Sequence, residues 1–182
     1  MAGVRGRGSQ RVEALDRRVD QAMDAWRGRR LPDRVLYAAS AVGDHSILWL
    51  IIGAARGLRS ERDWKAAVRL AACLGAESAL INGAVKTLVR RSRPPWDVHR
   101  PLPLRRPRTS SFPSGHATSG FMAASLLAEE ARWGPAYYVL AGVVAGSRIY
   151  VRTHHASDVL GGVAIGLALG RLARRLVPLT GP

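Results

Sequence analysis

Apolar residues in this chain are gathered into long blocks instead of being spaced evenly. The blocks run over about residues 35–55, 66–89, 117–131, 135–146 and 159–177. Several approach the roughly 20 residues that carry a helix across a bilayer. Two are short, so tilt, local thinning or extension into the neighbouring loops has to supply the missing length. The blocks are rich in Ala, Gly and Val and poor in aromatics, as expected where helices pack closely inside a membrane. No alternation of period two runs through them, and the pattern predicts an all-α integral membrane bundle of about five or six membrane helices. A soluble helical bundle is the plainer alternative.

Polar residues inside the blocks sharpen this picture. Glu77 and Asn82 fall within 66–89, where an ionised side chain facing lipid costs about 2.5–3.5 kcal/mol. Both are therefore expected to face the bundle, Glu77 in a structural role more than a catalytic one. Gly43-Asp44-His45 interrupts the first block, either as a tight turn between two short helices or as a polar kink in one. Gly162, Gly166 and Gly170 form a small-residue stripe at every fourth position, which reads as close helix packing.

Ahead of the blocks, residues 1–10 are Gly/Arg-rich and expected to be disordered. Val12, Leu15, Val19, Met23 and Trp26 then recur at helical spacing with arginines and aspartates between them. This predicts an amphipathic helix lying on an anionic membrane surface. The expected organisation is a basic tail and interfacial helix over 1–32, a membrane-embedded domain over 33–178 and a short tail over 179–182. The N-terminus lacks the apolar core and cleavage site of a secretory signal. Cys73 is the only cysteine, so no intrachain disulfide forms.

Charge adds a constraint. The chain holds 28 Lys and Arg against 13 Asp and Glu, a net +15. Nucleic acid is set aside as a partner, because the charges lie in clusters between apolar blocks and not along one soluble basic face. Membrane lipids fit better. Nothing in the sequence sets the oligomeric state.

The clusters carry the candidate chemistry. Lys86 precedes Arg93-Pro94; Pro113-Ser114-Gly115-His116 opens a later apolar block; Ser147-Arg148 precedes His154 and Asp158. Hydrolysis of a phosphate monoester depends on positioning and on neutralising charge at the equatorial oxygens. Arg93 and Arg148 each offer a planar fork to two oxygens, and Lys86 a point charge. A helix over 67–91 would put Lys86 and Arg90 one turn apart, with Pro94-Pro95 ending it. Ser114 reads as an N-cap whose neighbours, Gly115 among them, present backbone N–H groups to an anion. His116, in that first turn, is placed to act as general acid. Asp158, one turn from His154, can fix its tautomer and leave the other ring nitrogen free to attack phosphorus. An ordinary capping pair is the alternative for His154 and Asp158. His155 reads as a neighbour, and Arg152 and Thr153 bear on local shape.

These fragments resemble the signature of the type 2 phosphatidic acid phosphatase superfamily, relatives of the vanadium haloperoxidases. Six residues separate Lys86 from Arg93-Pro94; Pro-Ser-Gly-His stands intact at 113–116; Ser147-Arg148 is followed by five residues, His154, three residues and Asp158. The resemblance spans Lys86 to Asp158, with an apolar continuation to about residue 177. It implies a phosphohistidine intermediate on His154, His116 as acid, phosphate binding by Lys86, Arg93, Ser114, Gly115 and Arg148, and no metal or other cofactor. The implied substrates are phospholipid or polyprenyl phosphates: phosphatidic acid, phosphatidylglycerol phosphate, a polyprenyl pyrophosphate or decaprenylphosphoryl ribose phosphate. Bacterial relatives face the extracytoplasmic side of the cytoplasmic membrane. A vanadate-dependent haloperoxidase-like enzyme, or a non-catalytic membrane protein gathering anionic lipid, are the competing readings.

An even number of crossings separates the 90–112 loop from 148–156, so both share one membrane face. If 35–55 crosses once, the basic N-terminus shares that face; if it is a hairpin, the N-terminus lies opposite. The loop over 95–111, with Trp96, Asp97, His99, Arg100, Arg105, Arg106 and Arg108, is expected to contact the headgroup, act as a lid, or be a solvated basic face.

Overall fold

A computed structural model describes residues 7–98, 100–129 and 131–179. Among them the structure is helical, without strands. The order is α1 (Arg7–Asp24), α2 (Arg30–Val42), α3 (Ile47–Gly57), α4 (Glu61–Ala79), a π-helical turn (Leu80–Val85) leading into α5 (Lys86–Leu88), α6 (Gly115–Leu127), α7 (Gly134–Tyr150) and α8 (Ala156–Leu176). The α4–α5 path of 28 residues and α8 are each long and apolar enough to cross a membrane. The α2–α3 pair passes the same test as one span bent by 64°. By length and hydropathy alone that makes two or three candidate spans among the described residues, with α6 and α7 shorter.

The interruption at Gly43 is thus a kink and not a hairpin. His45 and Ser46 take left-handed backbone angles, φ 53° and 60°, and a short 3-10 turn over Asp44–Ser46 redirects the chain. A side chain at Gly43 would run into Val144 and the His116 ring, 2.7 and 2.8 Å from the Cβ position. The kink therefore presses directly on the start of α6.

α6 is the central helix. Ten of its residues are buried, and it packs against α8, α7 and α4. The predicted stripe makes the closest of these contacts. A Cβ at Gly162 would lie 2.7 Å from the Ser114 carbonyl and one at Gly170 2.5 Å from Ser125 Cβ, and one at Gly166 would strike the Thr118 carbonyl. Without a hydrophobic driving force between helices in lipid, such close backbone approach is what holds them. Trp49, Leu70, Leu74, Met122 and Leu126 fill the space between α3, α4 and α6. Ile51, Val139, Leu160 and Leu172 are exposed on the outside, as lipid contact requires.

The first helix begins at Arg7, inside the stretch expected to be disordered; residues 1–6 lie outside the described residues, as do 180–182 of the C-terminal tail. α1 keeps Val12 and Leu15 exposed, but its acidic side is docked on the domain. Arg27, just beyond α1, donates to the Ile149 and Tyr150 carbonyls at 3.0 and 2.9 Å and pairs with Asp20 and Asp24. Tyr150 donates to Asp33 at 2.6 Å. The N-terminal helix therefore lies at the same end of the bundle as the 148–156 segment, the arrangement of the single-crossing alternative.

Candidate active site

All three sequence fragments meet at one end of the bundle. The α5 helix stops at Leu88, short of the expected residue 91, because the following backbone is captured by the loop. Arg91 N–H donates to Ser110 Oγ at 3.1 Å, and Ser111 N–H to the Arg91 carbonyl at 3.0 Å. Ser110 in turn bonds the Val89 carbonyl. This brings Arg93 beneath the α7–α8 connection, where its guanidinium donates to the carbonyls of Thr109 (3.0 Å), Ser110 (3.1 Å) and Thr153 (2.8 Å). The same Nη1 stands 3.2 Å from His154 Nε2. Desolvation lowers the Arg93 pKa from its ordinary value, yet a guanidinium stays charged.

Lys86 is aimed by its own helix. Its ammonium donates to Asn82 Oδ1 at 2.9 Å, and Asn82 Nδ2 to Ser78 Oγ at 3.0 Å. The ammonium lies 3.7 Å from where a Cβ on Gly115 would sit, so the first and second fragments touch. Ser114 occupies the N-cap of α6, as expected, but its hydroxyl makes no capping bond; it is buried without a partner among the described residues, like Nε of Arg148. Arg148 is 5% exposed and is held by Ser40 through Nη1. The 148–154 turn closes on the Arg148 carbonyl, which accepts from the Thr153 and His154 N–H groups at 3.0 and 3.1 Å. Arg152 takes φ 54° there and reaches back to Asp24 of α1 at 2.7 Å.

His154 is 4% exposed. Its Nδ1 donates to the Ser111 carbonyl at 2.8 Å, while Asp158 Oδ2 lies at 3.9 Å. The direct acceptor that fixes the tautomer is thus a backbone oxygen, with the carboxylate one step behind. Nε2 is left with its lone pair toward Arg93. Burial pushes the imidazole pKa down to about 3; Asp158 opposes this, and the charges of Arg93 and Arg148 add to it. The ring is neutral at ordinary pH.

Asp158 is fully buried and multiply bonded. It accepts from Ser111 Oγ at 2.5 Å, from the His155 N–H at the start of α8 at 2.8 Å, and from Arg91 at 2.5 Å. It therefore caps α8 and braces the Ser111 carbonyl that holds His154. Arg91 also donates to Asp16 of α1 at 2.6 Å, and Asp16 accepts from Ser157 N–H at 2.8 Å.

His116 points its Nε2 at Asp44 Oδ1, 3.0 Å away, with the Ser40 carbonyl at 3.2 Å. Asp44, Ser111, Arg91 and Asp16 were not singled out as site residues from the sequence. Only Asp44 carried a signal, as a charge inside an apolar block.

The fragments border a cavity of about 1530 Å³. Lys86, Arg93, His116, Arg148 and His154 line one end, and Leu50, Leu74, Glu77 and Ser78 carry it inward between α3 and α4. The 95–111 loop divides in two. Arg105 to Thr109 border the cavity, whereas Arg100 stacks on Trp96 at 4.0 Å and donates to the Trp96 carbonyl at 2.6 Å. His99 lies outside the described residues.

Three cations, a buried imidazole and a second imidazole beside a carboxylate thus share one end of an all-helical bundle. The chain belongs to the PAP2 superfamily, whose family model matches residues 66–181. It is 40% identical over 136 residues to the decaprenylphosphoryl-5-phosphoribose phosphatase of Mycobacterium tuberculosis, covering 73% of each chain. The crystal structure of a transmembrane PAP2-type phosphatidylglycerolphosphate phosphatase from Bacillus subtilis superposes with a TM-score of 0.69 at 25% identity, over 96% of this chain and 89% of that one. The fold is also that of LpxE from Aquifex aeolicus, with a TM-score of 0.68 at 22% identity over 90% and 94% of the chains.

Proposed function

We propose that this protein is an integral membrane lipid phosphatase that hydrolyses a phosphate monoester or pyrophosphate by way of a phosphohistidine on His154. The observation that carries the reading is the placement of that ring: its Nδ1 donates to the Ser111 carbonyl and its Nε2 stands beside Arg93. Such a nitrogen is a nucleophile. As the Nε2–P bond forms, the P–O bond to the lipid breaks, and His116 protonates the departing oxygen. Water then attacks phosphorus, the N–P bond breaks, and His116 takes the water's proton. Lys86, Arg93 and Arg148, with the backbone at Ser114 and Gly115, neutralise the equatorial oxygens. These fixed cations supply the charge for which other phosphatases recruit a metal ion.

The relatives' names support a lipid substrate, either a polyprenyl-linked sugar phosphate or a phosphatidylglycerol phosphate. An extracytoplasmic active site follows the resemblance to bacterial relatives and not the arginine count, because arginines crowd both ends of the bundle. The reading is tested by phosphate release from detergent-purified protein on a panel of lipid phosphates with EDTA present. Release is expected from the wild type and not from His154→Ala; equal release by both would overturn it.

A further inference from the structure

Beside the catalytic cavity lies a second one to which the reaction above gives no task. Its volume is about 590 Å³, and Lys86, Arg93 and the segment over 106–109 border both. The two differ in chemistry. Leu50 and Leu74 carry the first inward between α3 and α4, whereas the second is lined by one lysine and five arginines, with no carboxylate and no Leu, Ile or Val. A lipid tail gains little there. Clustered cations without a counter-charge concentrate a small anion.

Most of these cations are already engaged. Arg91 is bound to Asp16 and Asp158, Arg93 donates to the Thr109 and Thr153 carbonyls, and Arg106 lies 5.9 Å from the Trp96 ring. Arg90 and Arg108 are exposed, and among the described residues their guanidinium groups make no hydrogen bond or ion pair. They are two forks with nothing yet to hold, on the outer side of a groove whose inner side is Lys86 and Arg93.

Hydrolysis leaves two products of opposite character, an apolar lipid alcohol and inorganic phosphate. Phosphate held by Lys86, Arg93 and Arg148 is slow to leave, and product release sets the rate of many enzymes. The path along Leu50 and Leu74 would strip it of counter-charge. The path past Lys86 and Arg93 to Arg90 and Arg108 keeps cations around it throughout, and the outer pair, screened by solvent, lets it go.

We infer that the groove is a second phosphate site, at which Arg90 and Arg108 receive the inorganic phosphate formed in the catalytic cavity and pass it to water. The inference rests on the phosphatase reading and adds to it a separate exit for one product.

The test follows the oxygens of the phosphate. A lipid phosphate carrying a heavy oxygen isotope at its terminal oxygens is hydrolysed in ordinary water by the wild type, by Arg90→Glu/Arg108→Glu and by Arg90→Gln/Arg108→Gln. The isotopic composition of the released phosphate is read by mass spectrometry, and KM for the lipid is measured alongside. While phosphate waits in the cavity, Nε2 of His154 attacks it again: the N–P bond forms, a P–O bond breaks, and that oxygen leaves as water with a proton from His116. Solvent water then breaks the N–P bond and brings in unlabelled oxygen. Slower exit therefore means more label lost. The share of released phosphate that has lost label should rise about fivefold in the Glu pair, the size expected of two screened surface charges, and by less in the Gln pair. A variant that had merely damaged the chemistry would lose less label than the wild type, and that result counts against the inference. If the Glu pair does not purify as folded protein, the Gln pair decides. A label pattern unmoved by the substitutions overturns the inference and leaves the phosphatase reading standing; accompanied by a raised KM, it assigns the groove to a lipid headgroup instead. No phosphate release by the wild type overturns the phosphatase reading, and the inference with it.

Discussion

Asp44 Oδ1 lies 3.0 Å from Nε2 of His116, joining the kink between α2 and α3 to the first turn of α6. A carboxylate beside an acid imidazole orients the ring and stabilises the cation that exists before the proton is given up. Asp44 is a positioning residue on this account. Asp44→Asn should lower kcat on an alkyl lipid phosphate about 10–100-fold, less than the about 100- to 10,000-fold that general acid catalysis supplies, because the acid itself remains. The loss should be much smaller on p-nitrophenyl phosphate, whose leaving group departs without a proton. Equal losses on both would show that Asp44 acts on something other than His116.

The neutral state of His154 has a consequence for stability. An unfolded histidine titrates near about 6.5, whereas burial holds His154 at about 3 in the folded protein. Between these values the unfolded chain binds the proton and the folded chain does not. The stability from keeping the ring neutral is therefore full above about pH 6.5 and is lost as pH falls toward about 3. Thermal midpoints measured from pH 8 to 4 in detergent should fall more steeply below pH 6.5 for the wild type than for His154→Gln. Parallel curves would contradict the buried neutral ring.

The N-terminal helix braces the site through one residue. Asp16 is 7% exposed and binds both Arg91 and Ser157, while Asp24, also paired with arginines, is half exposed. Removing a buried acceptor from charged donors costs about 1–3 kcal/mol, and an exposed pair about 0–1 kcal/mol. Asp16→Ala should lower the thermal midpoint and reduce kcat/KM severalfold by loosening Arg91 from Asp158. Asp24→Ala should do little to either. Similar behaviour of the two variants would remove α1 from the active-site scaffold.

The parts legible in the sequence were those that spacing along one helix or turn decides. The apolar blocks, the Gly162, Gly166 and Gly170 stripe and the three fragments around Lys86, His116 and His154 are local patterns; the stripe packs against α6 and the fragments meet around one cavity. What could not be read depends on which distant segment lies opposite. Ser111 holds His154 through a carbonyl, a group every residue has, so no side-chain pattern marks it. Arg91 has no marking pattern of its own, because the Asp16 and Asp158 that flank it lie far off in the sequence. Asp44 was visible as an anomaly inside an apolar block, but its partner lies more than 70 positions away, across a 64° bend that hydropathy does not encode.

The central claim is that phosphorus is transferred to Nε2 of His154. Its most direct test is rapid quenching of the purified protein with a lipid substrate labelled at the phosphate. A phosphohistidine survives alkali and is released by acid. The account predicts alkali-stable, acid-labile label on the wild-type chain and none on His154→Gln. Label retained by His154→Gln, or turnover by that variant at the wild-type rate, would contradict it.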